Sequence, residues 1–311
     1  MLIAAVAAIF LPYGLSIRDA YVHHGIGVCL LQDTGGSRCQ IVMSAFVDQF
    51  NGVANHLLTW FTPLPGLIGG IVGATVLGRE YEHGTWRLAW TQAVPRTRWL
   101  AGRILLLAAG IAALTLSLSA LFAWFRGPVD QVSGRFSPGA FDLEGLALTG
   151  YTLFAFAAGV LAGQVLRRTV PAIVAAFTAY MAVRMPVEFW LRPHYLAPMT
   201  RLASTAGPRV GPMAPPVSPG PPDWILGRDL VDHAGHTLSP TVGNRVSQAL
   251  DTVDSQAARD AYLRAHALQY RILYQPADRF WTFQTIEAGL FIGLAAALLG
   301  IAIWRLHKRS I

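Results

Sequence analysis

Six runs of roughly twenty apolar residues punctuate this chain, at 1–17, 57–77, 104–125, 146–166, 170–191 and 282–304. A helix rises 1.5 Å per residue, so a run of that length spans a hydrocarbon layer about 30 Å thick. The pattern predicts an all-α integral membrane protein with about six spans. Pro186 interrupts the fifth run, with Arg184 and Glu188 near its end. The first run begins at Met1 and lacks the basic flank and small-x-small site of a cleaved signal, so a retained span is expected.

The polar stretches between the runs differ in length. Loops are expected at 18–56, 126–145 and, longest, 192–281. The last opens with seven prolines between Pro208 and Pro222, a composition that favours extended polyproline conformation over a packed domain. After it, Trp224–Leu238 alternates around an Ala234-Gly235 turn, which predicts a small hairpin. Asn244 is positioned to cap a helix reaching about Tyr274, with Val246, Leu250, Val253, Ala257 and Ala261 on one face and Pro276 as its stop. The expected organisation is spans one to five within 1–191, a modest, partly Pro-rich cap at 192–281, and the last span with a basic tail at 282–311.

Only 13% of the residues are charged, against about 25% for a soluble chain, which supports the membrane class. The net charge of +7 would raise nucleic acid as a partner. However, Lys308 is the only lysine and the arginines flank apolar runs, so the lipid bilayer is the expected partner and nucleic acid is not. Charge also predicts orientation. Segments 78–103, 167–169 and 305–311 hold ten of the 24 Arg and Lys but only two of the 17 acids, Glu80 and Glu82. By the positive-inside rule these segments, and both termini, face the cytoplasm of a cell-membrane protein.

The segment 78–103, GREYEHGTWRLAWTQAVPRTRWLAGR, carries more pattern than a connector needs. Gly84-Thr85 breaks the preceding helix and Thr85 can cap a new one. Trp86, Ala89, Trp90 and Ala93 then share one helical face, Arg87 and Thr91 lie on another, and Pro95 ends the element. Taken alone, the pattern reads as an interfacial helix that anchors the bundle.

The residues Arg79-Glu80, Glu82-His83-Gly84-Thr85, Arg87-Leu88, Trp90-Thr91-Gln92 and Arg98-Trp99-Leu100 change that reading. Together with the closing stretch ADRFWTFQTIEAGLF, Ala277–Phe291, they resemble actinobacterial-type permease subunits of type-2 ABC (ATP-binding-cassette) transporters. The resemblance covers about 55 residues and is weak in the Pro-rich loop. It implies that the loop after the second span docks on a separate ATPase subunit and converts its closure into movement of the spans. The coupling residues would be Arg79, Glu80, Glu82, His83, Gly84, Thr85, Trp86, Arg87 and Trp90, with the two carboxylates meeting partner arginines and the tryptophans supplying buried area. It further implies a second permease copy, identical or not, and transport directed outward.

Catalytic chemistry is not expected in the chain itself. A GxxxxGK[ST] loop needs a lysine followed by Ser or Thr, and Lys308 precedes Arg309. HExxH, GxSxG and SxxK do not occur. Glu80, Glu82 and His83 sit in a basic loop rather than among spans, and His233 and His236 have no further ligands in sight. No cofactor or metal is expected.

A few residues remain that the spans do not explain. Cys29 and Cys39 fall in the first outer loop, where a disulfide would persist, and are either bridged or two free thiols. Glu287 is an acid inside the sixth run, about 25 Å above its inner end, and Arg184 stands about 21 Å up the fifth. Such residues are functional candidates by default, and these two can pair with each other or, for Arg184, with Glu188. Gly66, Gly69, Gly70 and Gly73 form small-xxx-small repeats, echoed at Gly159 and Gly163, and suit close helix approach either within the bundle or to a second copy. Two rival readings are a membrane-anchored binding or sensor protein that works through its outer loop, and an ion-coupled transporter built on Glu287.

Overall fold

A computed structural model describes residues 2–31, 37–82, 96–203, 222–253 and 256–308. The apolar runs are helices: α1 (Leu2–His23), α4 (Leu64–Glu82), α5 (Arg96–Ser133), α7 (Ala147–Leu166), α8 (Thr169–Pro186) and α11 (Phe280–Lys308). Among the described residues, five helical stretches are long and apolar enough to cross a membrane, at Leu57–Glu80, Leu100–Ser133, Ala147–Leu166, Thr169–His194 and Ala277–Arg305. The protein is thus an all-α integral membrane protein. The sixth expected span, 1–17, is α1, which is not among the five. It runs past Ile17 through Arg18 and Asp19, and Pro12 lies inside it.

The predicted loop at 18–56 is a helical arm instead. Short α2 (Ile26–Leu31) leads to α3 (Ser37–Phe61), and a two-residue break at Thr62-Pro63 joins α3 to α4. The arm forms because α3 is amphipathic. Val42, Met43, Phe46, Phe50, Ala54, Leu57, Leu58 and Phe61 pack against α1 and the last turns of α5, the spacing of one helical face. Phe10 of α1 is central, meeting Phe61, Phe122 and Phe125 edge to face. α5, at 38 residues, measures about 57 Å, nearly twice the hydrocarbon thickness. Its C-terminal half, from Leu114 to Val132, supplies the face that supports the arm.

Cys29 at the end of α2 and Cys39 in the first turn of α3 are joined by a disulfide, Cα atoms 5.4 Å apart. A cross-link over a loop this short stabilises by about 2–3 kcal/mol in the chain-entropy picture. Cys29→Ser with Cys39→Ser should lower the thermal midpoint of purified protein by several degrees, and reductant should slow wild-type gel migration but not the double variant's. Equal midpoints would mean the bridge contributes nothing to the arm.

The region after α8 also departs from expectation. α8 continues beyond Pro186 through a π turn (Val187–Leu191) and a 3-10 turn (Arg192–His194). A three-stranded antiparallel sheet follows, β1 (Met199–Ala203), β2 (Trp224–Asp232) and β3 (Leu268–Gln275), in the order β1-β3-β2. The predicted turn exists, with Gly235 at φ +84° donating its N–H to Asp232. The hairpin around it shrinks to a single bridge, Val231 with Thr237, because β2 pairs with β3. The predicted helix from Asn244 to Tyr274 is three elements: α9 (Pro240–Asp251), α10 (Gln256–Ala265) and β3. Val246, Leu250, Leu263 and Leu268 give this sheet end a small core of its own.

Two further clusters hold the helices together. At the opposite, basic end, Val76, Leu77, Leu100, Ile104, Ile111, Phe156, Val160 and Ala302 join α4, α5, α7 and α11. Toward the sheet end, Phe141 of α6 (Pro138–Leu143) belongs to one cluster with Tyr151, Phe154, Tyr180, Phe280, Phe283 and Phe291.

Candidate functional site: a buried ion network

Charged side chains converge where α6, α7, α8 and α11 meet. Glu287 is 0% exposed, Arg184 2% and Arg192 3%. Arg192 is the hub. Its Nε donates to Glu287 Oε2 at 2.9 Å, and its Nη2 donates to Glu287 Oε1 at 2.7 Å, to Asp142 Oδ1 at 2.8 Å and to the Tyr151 hydroxyl at 3.0 Å. Arg184 pairs with Asp142 and, at 3.2 Å, with Glu188. Tyr151 donates to Glu287, and Tyr195 reaches Glu287 Oε2 at 3.0 Å. Burial lifts the Tyr195 phenol well above its ordinary range, and the neighbouring Glu287 adds to the rise.

Arg184 and Glu287 therefore share one network but do not pair with each other: Asp142 and Arg192 stand between them. The sequence reading missed these partners because it assigned Asp142 and Arg192 to loops. Helical winding continues through Pro186, however, so Arg184, Glu188 and Arg192 recur at intervals of four. That i, i+4, i+8 spacing was the available signal. Counting from Arg305, Glu287 lies about 27 Å up its helix, near the far edge of the apolar layer.

Local structure fixes the geometry. The π turn delivers Arg192 inward while leaving Phe189, Trp190 and Leu191 exposed. Such turns inside helices are frequent at functional sites. Gln284 of α11 spans the break between α6 and α7, its Nε2 donating to the Phe141 carbonyl at 2.7 Å and its Oε1 accepting from the Ala147 N–H at 2.9 Å. These are groups that helix ends leave unpaired. Gly145, at φ +81°, makes the turn, and Ser119 of α5 donates to its carbonyl at 2.9 Å.

Two residues beyond Asp142 a second cluster begins. Glu144, fully buried, lies 3.6 Å from Arg126 and 3.5 Å from Arg135, while Arg126 donates to Asp130 at 2.8 Å. Burial pushes the Glu144 carboxyl well above the usual carboxylate range. The Asp130 carboxylate adds to that shift, and Arg126 and Arg135 oppose it. α6 is thus tied by charge to α8 and α11 on one side, while the turn behind it is tied to α5 on the other.

The remaining predicted residues fall elsewhere. Glu80 pairs with Arg103 at the root of α5, and Glu82 accepts from Thr169, so both carboxylates engage their own chain. Arg79 is exposed. His83, Gly84, Thr85, Trp86, Arg87 and Trp90 lie outside the described residues. The glycines pack within the chain: a Cβ at Gly69 or Gly73 would run into the backbone of α7, and one at Gly159 would stand 2.8 Å from Ala74 N. Gly66 and Gly70 face Tyr180 and Ala176 of α8. Among the described residues no group of His, Cys, Asp and Glu could hold a metal ion.

Burying this much charge costs several kcal/mol per ion before pairing returns it. What the pairing provides is a joint at which charges from α6, α8, the turn at Arg192 and α11 meet. Glu287 has both oxygens engaged by Arg192, Tyr151 and Tyr195. No curated protein and no solved structure matches the chain. Residues 1–192, more than half of the protein and most of its membrane part, match the ABC-2 membrane transporter related family. The chain belongs to that family, as a multi-pass permease component of an ABC transporter and not its ATPase.

Proposed function

We propose that this permease is one half of an exporter, in which 78–103 receives mechanical work from an ATP-binding subunit. The observation that carries the reading is the ion pair between Glu80 and Arg103. It ties the end of α4 to the start of α5, so a force applied to the segment between them acts on both helices together. The same end carries the excess of arginine, which supports a cytoplasmic placement with both termini inside. A complete transporter would pair two permease copies, identical or different, with two ATP-binding subunits. The actinobacterial-type assignment and the outward direction rest on the resemblance of 78–103 and Ala277–Phe291. In this organisation 1–191 and 282–311 do the transport, and 192–281 caps the outer face.

The packed sheet end is what a membrane-anchored binding protein would need. Its fully enclosed core is small, and the family match falls on 1–192 rather than on that cap, which favours the permease.

The test is direct. A Thr85→Cys variant should resist an impermeant maleimide applied to intact cells and react once the membrane is opened. Thr85→Pro should insert normally and co-purify less than a tenth as much ATPase. Labelling in intact cells would place the segment outside and end the coupling reading.

A further inference from the structure

Glu82, the last residue of α4, makes a contact that the ion network does not use. Its Oε1 accepts from the Thr169 backbone N–H at 2.9 Å and its Oε2 from the Thr169 hydroxyl at 2.7 Å. Thr169 opens α8, where a backbone N–H has no acceptor in its own helix and a carboxylate also meets the positive end of the helix dipole. Gly78, one turn earlier on α4, permits the approach: a Cβ there would stand 3.1 Å from Thr169 Oγ1 and 3.2 Å from its Cα. Higher up, Gly70 lies against Ala176 and Gly66 against Tyr180 and Phe177. α4 and α8 therefore run side by side, and Glu82 joins them at the base.

From Thr169, α8 rises without interruption for about 22 Å to Arg184, and about two further turns lead to Arg192. Its two ends thus touch the two features that matter: the stem of the coupling segment and the buried ion network. α6 and α11 contribute to that network but not to the Glu82 contact. A movement of α8 along or about its axis therefore changes the network geometry.

We propose that Glu82 and Thr169 form a positioning pair that passes displacement of the foot of α4 to α8, and that α8 delivers it to Arg184 and Arg192, loosening their hold on Asp142 and Glu287. The network is then the latch at the sheet end, and α8 is the rod that works it. A packed helix moves as a unit, and a network of paired charges has discrete arrangements rather than a continuum, so a small shift at the base becomes a change of state at the far end. This mechanism rests on the coupling reading above.

The test exploits where Thr169 sits. Proline suits the first position of a helix, and Arg168 before it is already extended, at φ −136° and ψ 134°, as a residue preceding proline must be. Thr169→Pro removes both donors to Glu82 and keeps the helix. Thr169→Ser keeps both donors, and Thr169→Val keeps only the backbone one. The full chain, co-purified with its ATPase in nanodiscs, carries spin labels at Trp190→Cys and Ile41→Cys, both exposed, with Cys29 and Cys39 bonded to each other. ADP-vanadate trapping should shift the distance between labels in the wild type and in Thr169→Ser. In Thr169→Pro the shift should fall below a third, with ATPase co-purification unchanged. Should Thr169→Pro fail to fold, Thr169→Val should give an intermediate shift. A full shift in the proline variant, or in the valine variant if only that folds, overturns the positioning role and leaves coupling intact. Trapping without any shift in the wild type overturns the rod. Absence of a co-purifying ATPase overturns coupling, and this proposal with it.

Discussion

Arg192→Met should be among the most damaging single substitutions outside the coupling segment, costing about 3–5 kcal/mol of a total near 5–15 kcal/mol. The reason is arithmetic of charge rather than loss of one contact. Without Arg192, Glu287 keeps the hydroxyls of Tyr151 and Tyr195 among the described residues, and Asp142 keeps Arg184 and a longer contact, 3.3 Å, from the Tyr151 hydroxyl. A fully buried carboxylate facing two phenols is close to an unpaired charge. Purified in detergent, this variant should aggregate or melt well below the wild type, followed by tryptophan fluorescence. Adding Glu287→Leu should recover much of the loss, since it removes the stranded carboxylate and leaves Asp142 paired with Arg184. Arg192→Lys should fall between, because an ammonium cannot reproduce the fork that reaches Glu287 and Asp142 together. Equal damage in the single and double variants would mean that Arg192 acts through packing on Phe141, over whose ring it lies, and not through charge.

This network also marks the limit of what patterning reveals. Uninterrupted apolar length located α4, α5, α7, α8 and α11, since crossing a hydrocarbon layer imposes that length directly. It could not locate α3, whose stability comes from one apolar face; the stripe from Val42 to Phe61 becomes visible only when a 3.6-residue period is sought inside a polar stretch. The same habit ran α10 into β3. Leu268, Tyr270, Ile272 and Tyr274 recur at every second residue, and that change of period marks a strand. Glu287 and Arg184 were conspicuous because ionisable residues are scarce in spans. Their partners were not, because Asp142 and Arg192 lie where polar residues are ordinary, and only folding brings them inward. Spacing alone likewise told that Gly66, Gly69, Gly70 and Gly73 pack closely, while the surface they meet is a property of the tertiary structure. The segment from His83 to Pro95 lies outside the described residues, and its role rests on its pattern and its stem.

Gly73→Ala and Gly70→Ala should differ sharply, although they sit three residues apart on α4 and make the same chemical change. A methyl group at Gly73 would collide with the Phe156 carbonyl and stand 3.0 Å from Val160 N, both backbone atoms of α7 that no rotamer change can move. At Gly70 the nearest atom is the Ala176 methyl at 3.5 Å, an ordinary contact. Helix propensity favours alanine at either site by about 0.8–1 kcal/mol, so the difference isolates packing. Forcing α4 from α7 should cost about 1–3 kcal/mol net of that gain, and Gly69→Ala should behave like Gly73→Ala because its methyl would meet Thr152 O and Phe156 N. Gly110→Ala, with nothing within 4 Å, is the control and should be neutral or mildly stabilising. Thermal midpoints of the four variants in one detergent make the comparison. If Gly70→Ala and Gly73→Ala melt together, the seam between α4 and α7 is loose enough to open. α4 could then slide past α7 without carrying α8, and the Glu82 contact at its foot would have no rigid body to move.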